Sequence, residues 1–388
     1  MEQVLSGFKI LDFGHYITGP YAAMLLAEQG AEVIKVERPG GDPFRGQDAF
    51  MVFNRSKKGI TLDLKREEGR RIAHELIKQA DVVIANYRPG VTERLGIGYD
   101  KVRELNPKTV YCSITGFGET GPYRDRPGWD PVVASTVGIY VEQGGGVDNP
   151  PTYLVLPLPS YYTAFMTAFS ITNALFAREM TGQGQKVDIS MFRTMIAAAG
   201  NMLVDFEEKI RIPYSDPQGL IPLYKLYQGS DGKWFFLACG NLTFFTKLAL
   251  ALGHEEWLTD DRFEGAPFLI LPPVNYELIE MFKEIFATKT RDEWLEFLRA
   301  EDIPCAPAQP VEKFLDDPQV LVNEMVAEVE EPGLGTVREM GVPVKFDRTP
   351  GRVQSRSPKL GEHTEGVLAE LLGYSAGEIA DLKKQKII

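Results

Sequence analysis

At 388 residues the chain is too long for one ordinary compact core, and about two domains are expected. Its hydrophobic fraction of 44% and charged fraction of 25% are those of a globular protein. A net charge of −12 argues against a nucleic-acid partner, which calls for a basic face, but leaves room for a local basic pocket that holds a small anion.

Residues 8–14 (FKILDFG) form a short apolar run that stops at a glycine, a helical stretch follows from Gly19 to about Gln29, and AEVIKVE (31–37) alternates as a second strand. Strand, helix and strand within some thirty residues make a βαβ unit and imply a parallel sheet. Glu67–Gln79 places Ile72, Leu76 and Ile77 on one side of a helix, ADVVIAN (80–86) reads as a third strand, and TVYCSITGFG (109–118), after a short helix at Tyr99–Asn106, as a fourth. This alternation predicts an α/β, doubly wound, Rossmann-like domain. No GxGxxG follows the first strand, so a dinucleotide cofactor is not supported. Further on, a long helix is predicted over Ser160–Arg178 and a strand over Gln185–Met191. A β-hairpin is predicted over 223–240, turning at Ser230-Asp231-Gly232, with helices filling most of 241–300. Residues 327–346 read as a return strand pair, and the chain closes with a helix at Thr364–Leu372 and a basic tail. The expected division is a large domain from both chain ends, 1–212 and 327–388, and a smaller α+β domain at 223–320, with linkers at 213–222 and 321–326.

Cys112, Cys239 and Cys305 form no CxxC, and His15, His74, His254 and His363 form no HExxH or HxxxH pair. No metal site is expected, and a reducing compartment is. The N-terminus lacks a basic segment ahead of a long apolar core, and the apolar stretch Phe165–Ala177 is interrupted by Thr167, Ser170, Thr172 and Asn173. Neither a signal peptide nor a membrane span is expected, and the cytoplasm is the expected location.

Several strings carry a more specific message. LVLPLPSYYTAFMTAFSITNALFAREMTGQGQ (154–185) resembles the central segment of the class III CoA-transferases, the family that also holds carnitine CoA-transferase, formyl-CoA transferase and the α-methylacyl-CoA racemases. Pro157, Asn173–Arg178 and Thr181–Gln185 fall into that pattern without a gap, and the position of the catalytic Asp is Ser160. GHYITGPYAAMLLAEQGAEVIKVERPGGDPFR (14–45) resembles the opening of the CoA-binding domain, FNRSKKGITLDLKREEGR (53–70) its basic loop, and ANYRPGVTERLGIGYD (85–100) its NxRPG segment. SITGFGETGPYRDRPGWDPVVASTVG (113–138) resembles the stretch that ends in PGYD.

The resemblance implies a CoA site built from His15, Arg38, Leu62, Lys65, Asn86, Tyr87, Arg88, Arg94 and Asp130. Asn54, Arg55 and Lys57 are expected beside it, with Lys57, Lys58 and Lys65 offsetting phosphate charge. No cofactor is implied beyond CoA and acyl-CoA as substrates. On the residues alone, Asp130 reads equally as the N-cap of a helix starting at Pro131, and the glycines of VEQGGGVDNPP (141–151) as a loop or a lid. Trp129 stands where the racemases carry an acid/base histidine, so racemase chemistry is not expected.

In the transferases that the chain resembles, the Asp carboxylate attacks the acyl-CoA thioester and exchanges acyl and CoA through an anhydride. A serine at that position forms a far less activated ester, which CoA thiolate does not readily reverse. Ser160 has no histidine nearby in sequence and reads as a helix N-cap. The resemblance therefore implies an interlocked dimer in which the partner is a paralogous catalytic subunit carrying the Asp, as heterodimer or heterotetramer. The two-subunit succinyl-CoA:benzylsuccinate CoA-transferase is organised in this way. The alternatives are a homomeric acyl-CoA isomerase or lyase using Asp130 or Glu142, and a non-enzymatic acyl-CoA-binding protein.

Overall fold

The computed structural model describes residues 2–207 and 218–388. Two compact units are present, one from Met1–Val137, Leu156–Val204 and Pro318–Ile388, the other from Gly138–Val155 and Asp205–Asp317. Residues 213–217 of the expected linker at 213–222 fall outside the described residues. The glycine-rich stretch at 141–151 belongs to the second unit.

The first unit is built on six parallel strands: β1 (Lys9–Asp12), β2 (Glu32–Glu37), β3 (Lys58–Thr61), β4 (Val82–Ala85), β5 (Val110–Thr115) and β6 (Lys186–Ser190). Their order is β3-β2-β1-β4-β5-β6, with Leu11 opposite Ile34 on one side and Val83 on the other. Successive side chains feed opposite faces. Ile10, Val33, Val82, Ile84 and Val110 enter one core, packed by Ala23, Leu26 and Ala27 of the helix Thr18–Glu28 and by Ile171 and Leu175. Leu11, Ile34, Val83, Ala85 and Tyr111 enter the other, covered by Ile72, Leu76 and Ile77 and by Leu368, Ile379 and Leu382 near the C-terminus. A sheet buried on both faces is what near-continuous apolar strands require.

β3 was not expected; KGIT lies in what reads as a basic loop. Its outer edge is held by the returning chain. Gly59 N–H donates to His363 Nδ1, Thr61 N–H to Thr364 Oγ1, and Asp63 N–H to the Ile387 carbonyl. Covering an edge strand in this way blocks further pairing. The strands predicted in 327–346 form at Val326–Glu331 and Gly335–Met340, but they pair only with each other, antiparallel, and do not extend the six-stranded sheet.

The second unit carries an antiparallel sheet, Tyr224–Gln228, Trp234–Ala238 and Cys305–Pro307, packed on helices by Tyr227, Phe235, Phe282, Phe286 and Trp294. No helix among the described residues is long and apolar enough to cross a membrane.

Candidate active site

The strand order reverses direction between β1 and β4, and ligands of such sheets bind outside the carboxyl ends of the strands at that point. Asn86, just past β4, ties the two loops together there. Its Oδ1 accepts from His15 N–H at 2.7 Å, and its Nδ2 donates to the His15 carbonyl at 2.7 Å and to Thr18 Oγ1 at 2.9 Å. The loop turns at Tyr16, whose φ of 60° is left-handed, which is costly for an aromatic residue. That turn sets the Tyr16 ring edge-on to Phe44 and to Trp129, with centroids 5.0 and 4.9 Å away.

A cavity of about 340 Å³ opens beside these rings. Its walls follow the carboxyl ends of four strands: Thr18 after β1, Asn86, Tyr87 and Arg88 after β4, Thr115 and Gly116 at the end of β5, and Met191 after β6. The loop 116–128 completes it and contributes Arg124 and Arg126. That loop is pinched at its neck, where a Cβ added to Gly116 or Gly128 would lie 2.4 or 2.3 Å from the other's Cα, so only glycine fits at either position.

The floor of the cavity holds Asp130 and Ser160. Ser160 is the third residue of a 24-residue helix, Leu158–Thr181, whose N-cap is Pro157. It is therefore not the N-cap that its sequence suggests. Pro157 offers no capping side chain and Pro159 has no N–H, so the Ser160 N–H needs an acceptor from elsewhere. Asp130 supplies it. Asp130 likewise does not cap its own helix, Asp130–Thr136, whose N-cap is Trp129. Its carboxylate reaches across 30 residues of sequence: Oδ1 accepts from Ser160 N–H at 2.8 Å and Oδ2 from Ser160 Oγ–H at 2.6 Å. Burial pushes the Asp130 carboxyl above its ordinary range, and the two bonds from Ser160 only partly oppose this.

A charged cluster beneath the loop engages Arg55, Lys57 and Lys58 of the basic string at 53–70 with carboxylates of the chain itself. Lys57 is fully buried and donates to Asp12 Oδ2 at 2.8 Å, to the Pro20 carbonyl and to Asn54 Oδ1. Arg55 is fully buried between Glu28 and Glu339, and Lys58 pairs with Glu32. Arg55 and Lys57 are buried against internal carboxylates and are not free to neutralise phosphates, whereas Lys58 is 41% exposed. Burial alone would raise the Asp12 carboxyl, but Lys57 and Lys35 outweigh it and hold it below its usual value. Burial pulls the Lys57 ammonium down to about 8 despite Asp12. Lys35 in turn donates to the Gly14 carbonyl and Asp42, fixing the loop.

Of the expected CoA residues, Asn86, Tyr87, Arg88 and Asp130 line the cavity together with Ser160. His15 does not line it; its ring packs edge-on to Tyr87 at 4.6 Å, and burial lowers its pKa, leaving it neutral at pH 7. Arg38 donates to the Gly41 carbonyl, and Lys65 and Arg94 are exposed outside this cavity. Leu62 is only 1% exposed and packs into the sheet's core, so its side chain is not available to a ligand. Glu142 belongs to the second unit. Tyr16, Phe44, Arg124 and Arg126 were not singled out from sequence, although the two arginines stand in the YRDRPG string; nothing local marks them as cavity-facing. No cluster of His, Cys, Asp and Glu able to hold a metal occurs among the described residues.

A doubly wound sheet with a carboxylate and several guanidiniums gathered at its switch point is an arrangement suited to an anionic substrate. The sequence profile of CoA-transferase family III matches residues 5–364, and the chain belongs to that family. It is 35% identical to a protein of Fusarium pseudograminearum named acyl-CoA transferase, over 100% of this chain and 89% of that one. It is 32% identical to the beta subunit of succinyl-CoA–L-malate CoA-transferase from Chloroflexus aurantiacus, over 99% of this chain and 98% of that one. A crystal structure of a CAIB/BAIF family protein from Brucella suis superposes with a TM-score of 0.81 at 32% identity, covering 96% of this chain and 100% of that one.

Proposed function

We propose that this chain is one subunit of a heteromeric class III CoA-transferase, whose paralogous partner carries the nucleophilic Asp, and that the complex moves CoA from an acyl-CoA to a carboxylic acid. The observation that carries this reading is the state of residue 160. The residue at the nucleophile position is a serine whose hydroxyl proton is committed to Asp130. An ester formed there does not exchange back with CoA thiolate, so the transfer cycle needs a carboxylate from another chain. Succinyl-CoA is the proposed donor and a benzylsuccinate-type acid the proposed acceptor, in line with the acyl donor named for the Chloroflexus relative.

In this reading Arg88, Arg94 and Lys65 contact the CoA phosphates, Asn86 holds the loop over the thioester end, and no cofactor beyond CoA takes part. An exposed face of the long helix supports the reading of a partner. Tyr162, Phe165, Met166, Phe169, Phe176 and Met180 are all exposed, at the spacing of one helical face. Exposed apolar side chains at that spacing, interrupted by Thr172 and Asn173, fit a protein interface. We place the protein in the cytoplasm, where its three free cysteines stay reduced. Purification from the native host tests the proposal. A second chain of similar size, carrying Asp at the equivalent position, is expected to co-purify in constant ratio. A homomer from that source that catalyses transfer on its own would overturn it.

A further inference from the structure

The Asp130–Ser160 pair does more than cap a helix. A serine hydroxyl within hydrogen-bond reach of a base that is itself held in place is the arrangement that activates a nucleophile. Sequence offered Ser160 no base, because the nearest histidines lie far along the chain. The fold supplies one in Asp130, whose Oδ2 is 2.6 Å from Ser160 Oγ. The carboxylate cannot swing away, since its other oxygen is bound by the Ser160 main-chain N–H at 2.8 Å. Both residues line the cavity, where Ser160 is 4% exposed. Ser160 sits in the first turn of a 24-residue helix, where the helix dipole favours negative charge developing on the attacked carbonyl. Arg88, Arg124 and Arg126 line the same cavity, where Arg124 also acts on Glu119 and Arg126 stacks on the Tyr123 ring at 3.7 Å. They add positive potential around that charge.

From this geometry we infer that the chain has a second activity: it is a serine-dependent acyl-CoA hydrolase, with Ser160 as nucleophile and Asp130 as general base. As Ser160 Oγ bonds to the thioester carbonyl carbon, its proton passes to Asp130 Oδ2. The C–S bond breaks, and the departing thiolate takes that proton to leave as CoA thiol. Water then attacks the ester carbonyl and gives a proton to Asp130. The bond from carbon to Oγ breaks, Oγ recovers the proton, and the acyl group leaves as the free carboxylic acid. Water and the thioester are the only reactants. The ester that stalls transfer, because CoA thiolate does not attack it, is the intermediate that hydrolysis uses. Desolvation of Asp130 helps, since a carboxylate held above its ordinary pKa is a stronger base.

The test uses the full-length chain in the oligomer in which it purifies, with succinyl-CoA as probe and an enzyme-free blank. Thiol release is followed with a thiol-reactive dye, and acid-quenched protein is digested for mass spectrometry. The expected result is thiol release above the blank, with one succinyl group on the peptide that contains Ser160. Ser160→Ala is expected to abolish the adduct and lower release by at least about 100-fold, and Asp130→Asn by about 10²–10⁴-fold. If Ser160→Ala fails to fold, Asp130→Asn decides alone, because it keeps Ser160 and an acceptor for its N–H. Release no greater than the blank by a chain that still binds CoA would overturn the proposal, as would release that both variants retain. Transfer by the heteromeric complex is a separate readout, so loss of the hydrolase proposal leaves the transferase reading standing.

Discussion

Replacing Ser160 by aspartate puts a carboxylate back at the family's nucleophile position, and the geometry sets what it meets there. Ser160 Oγ lies 2.6 Å from Asp130 Oδ2. Two carboxylates in those places have charge centres about 4 Å apart, and at an effective dielectric near 20 they repel by about 4 kcal/mol. That repulsion corresponds to about 3 pK units between the two titration steps of the pair. The repulsion separates the two titration steps of the pair in Ser160→Asp, and at neutral pH at least one carboxylate stays ionised and free to attack. The variant, assayed as it purifies with succinyl-CoA and benzylsuccinate, is expected to form benzylsuccinyl-CoA detectable by mass spectrometry, where the unaltered chain forms none. It is also expected to lose the serine ester adduct. A folded Ser160→Asp protein that binds CoA with unchanged affinity yet forms no acyl-CoA product would refute the reasoning, because the missing carboxylate would then not be what separates this chain from a complete transferase.

Lys57→Met leaves Asp12 buried without its main counter-charge and is expected to cost about 3–5 kcal/mol, read as a lowered denaturant midpoint at unchanged slope. Arg94→Ala is expected to weaken CoA binding by about 1.5–3 kcal/mol in calorimetry, the loss of one charged hydrogen bond. Asp130 has a folded pKa above the ordinary 3.8, so the folded chain holds this proton more tightly than the unfolded chain does. Its contribution to stability is largest below pH 3.8 and falls as pH rises through the folded pKa. The difference in unfolding free energy between the unaltered chain and Asp130→Asn should change across that window and be flat above it.

Much of the fold is legible in sequence because each central strand is covered on both faces. FKILD, EVIKVE, VVIA and VYCSIT are apolar runs bounded by glycine, polar or helical segments, and the helix Glu67–Ile77 shows its buried face as Ile72, Leu76 and Ile77. β3 is not legible in this way. KGIT is four residues long and opens on lysine, and its strand character comes from pairing with β2 and from the C-terminal residues that seal its edge. The site divides along the same line. Asn86, Tyr87, Arg88 and Asp130 sit in strings long enough to be recognised. The fates of Lys57 and Arg55 depend on Asp12, Glu28 and Glu339, the last of which is 284 residues from Arg55, and no local pattern reports such a pairing. The bond between Asp130 and Ser160 is hidden for the same reason. A serine after Pro-Leu-Pro reads as a helix cap until the fold shows that the helix has already begun and that its open N–H takes an acceptor from another helix.

On the proposed assignment, residue 160 of this chain does not carry out CoA transfer and a partner carboxylate does. The most direct test is the formation of acceptor-CoA by the purified chain alone, followed by mass spectrometry with succinyl-CoA and an isotopically labelled carboxylic acid. No labelled acyl-CoA is expected from the chain alone, and labelled product is expected once the paralogous subunit bearing Asp is added. Sustained turnover by a verified homomer, abolished by Ser160→Ala, would contradict it.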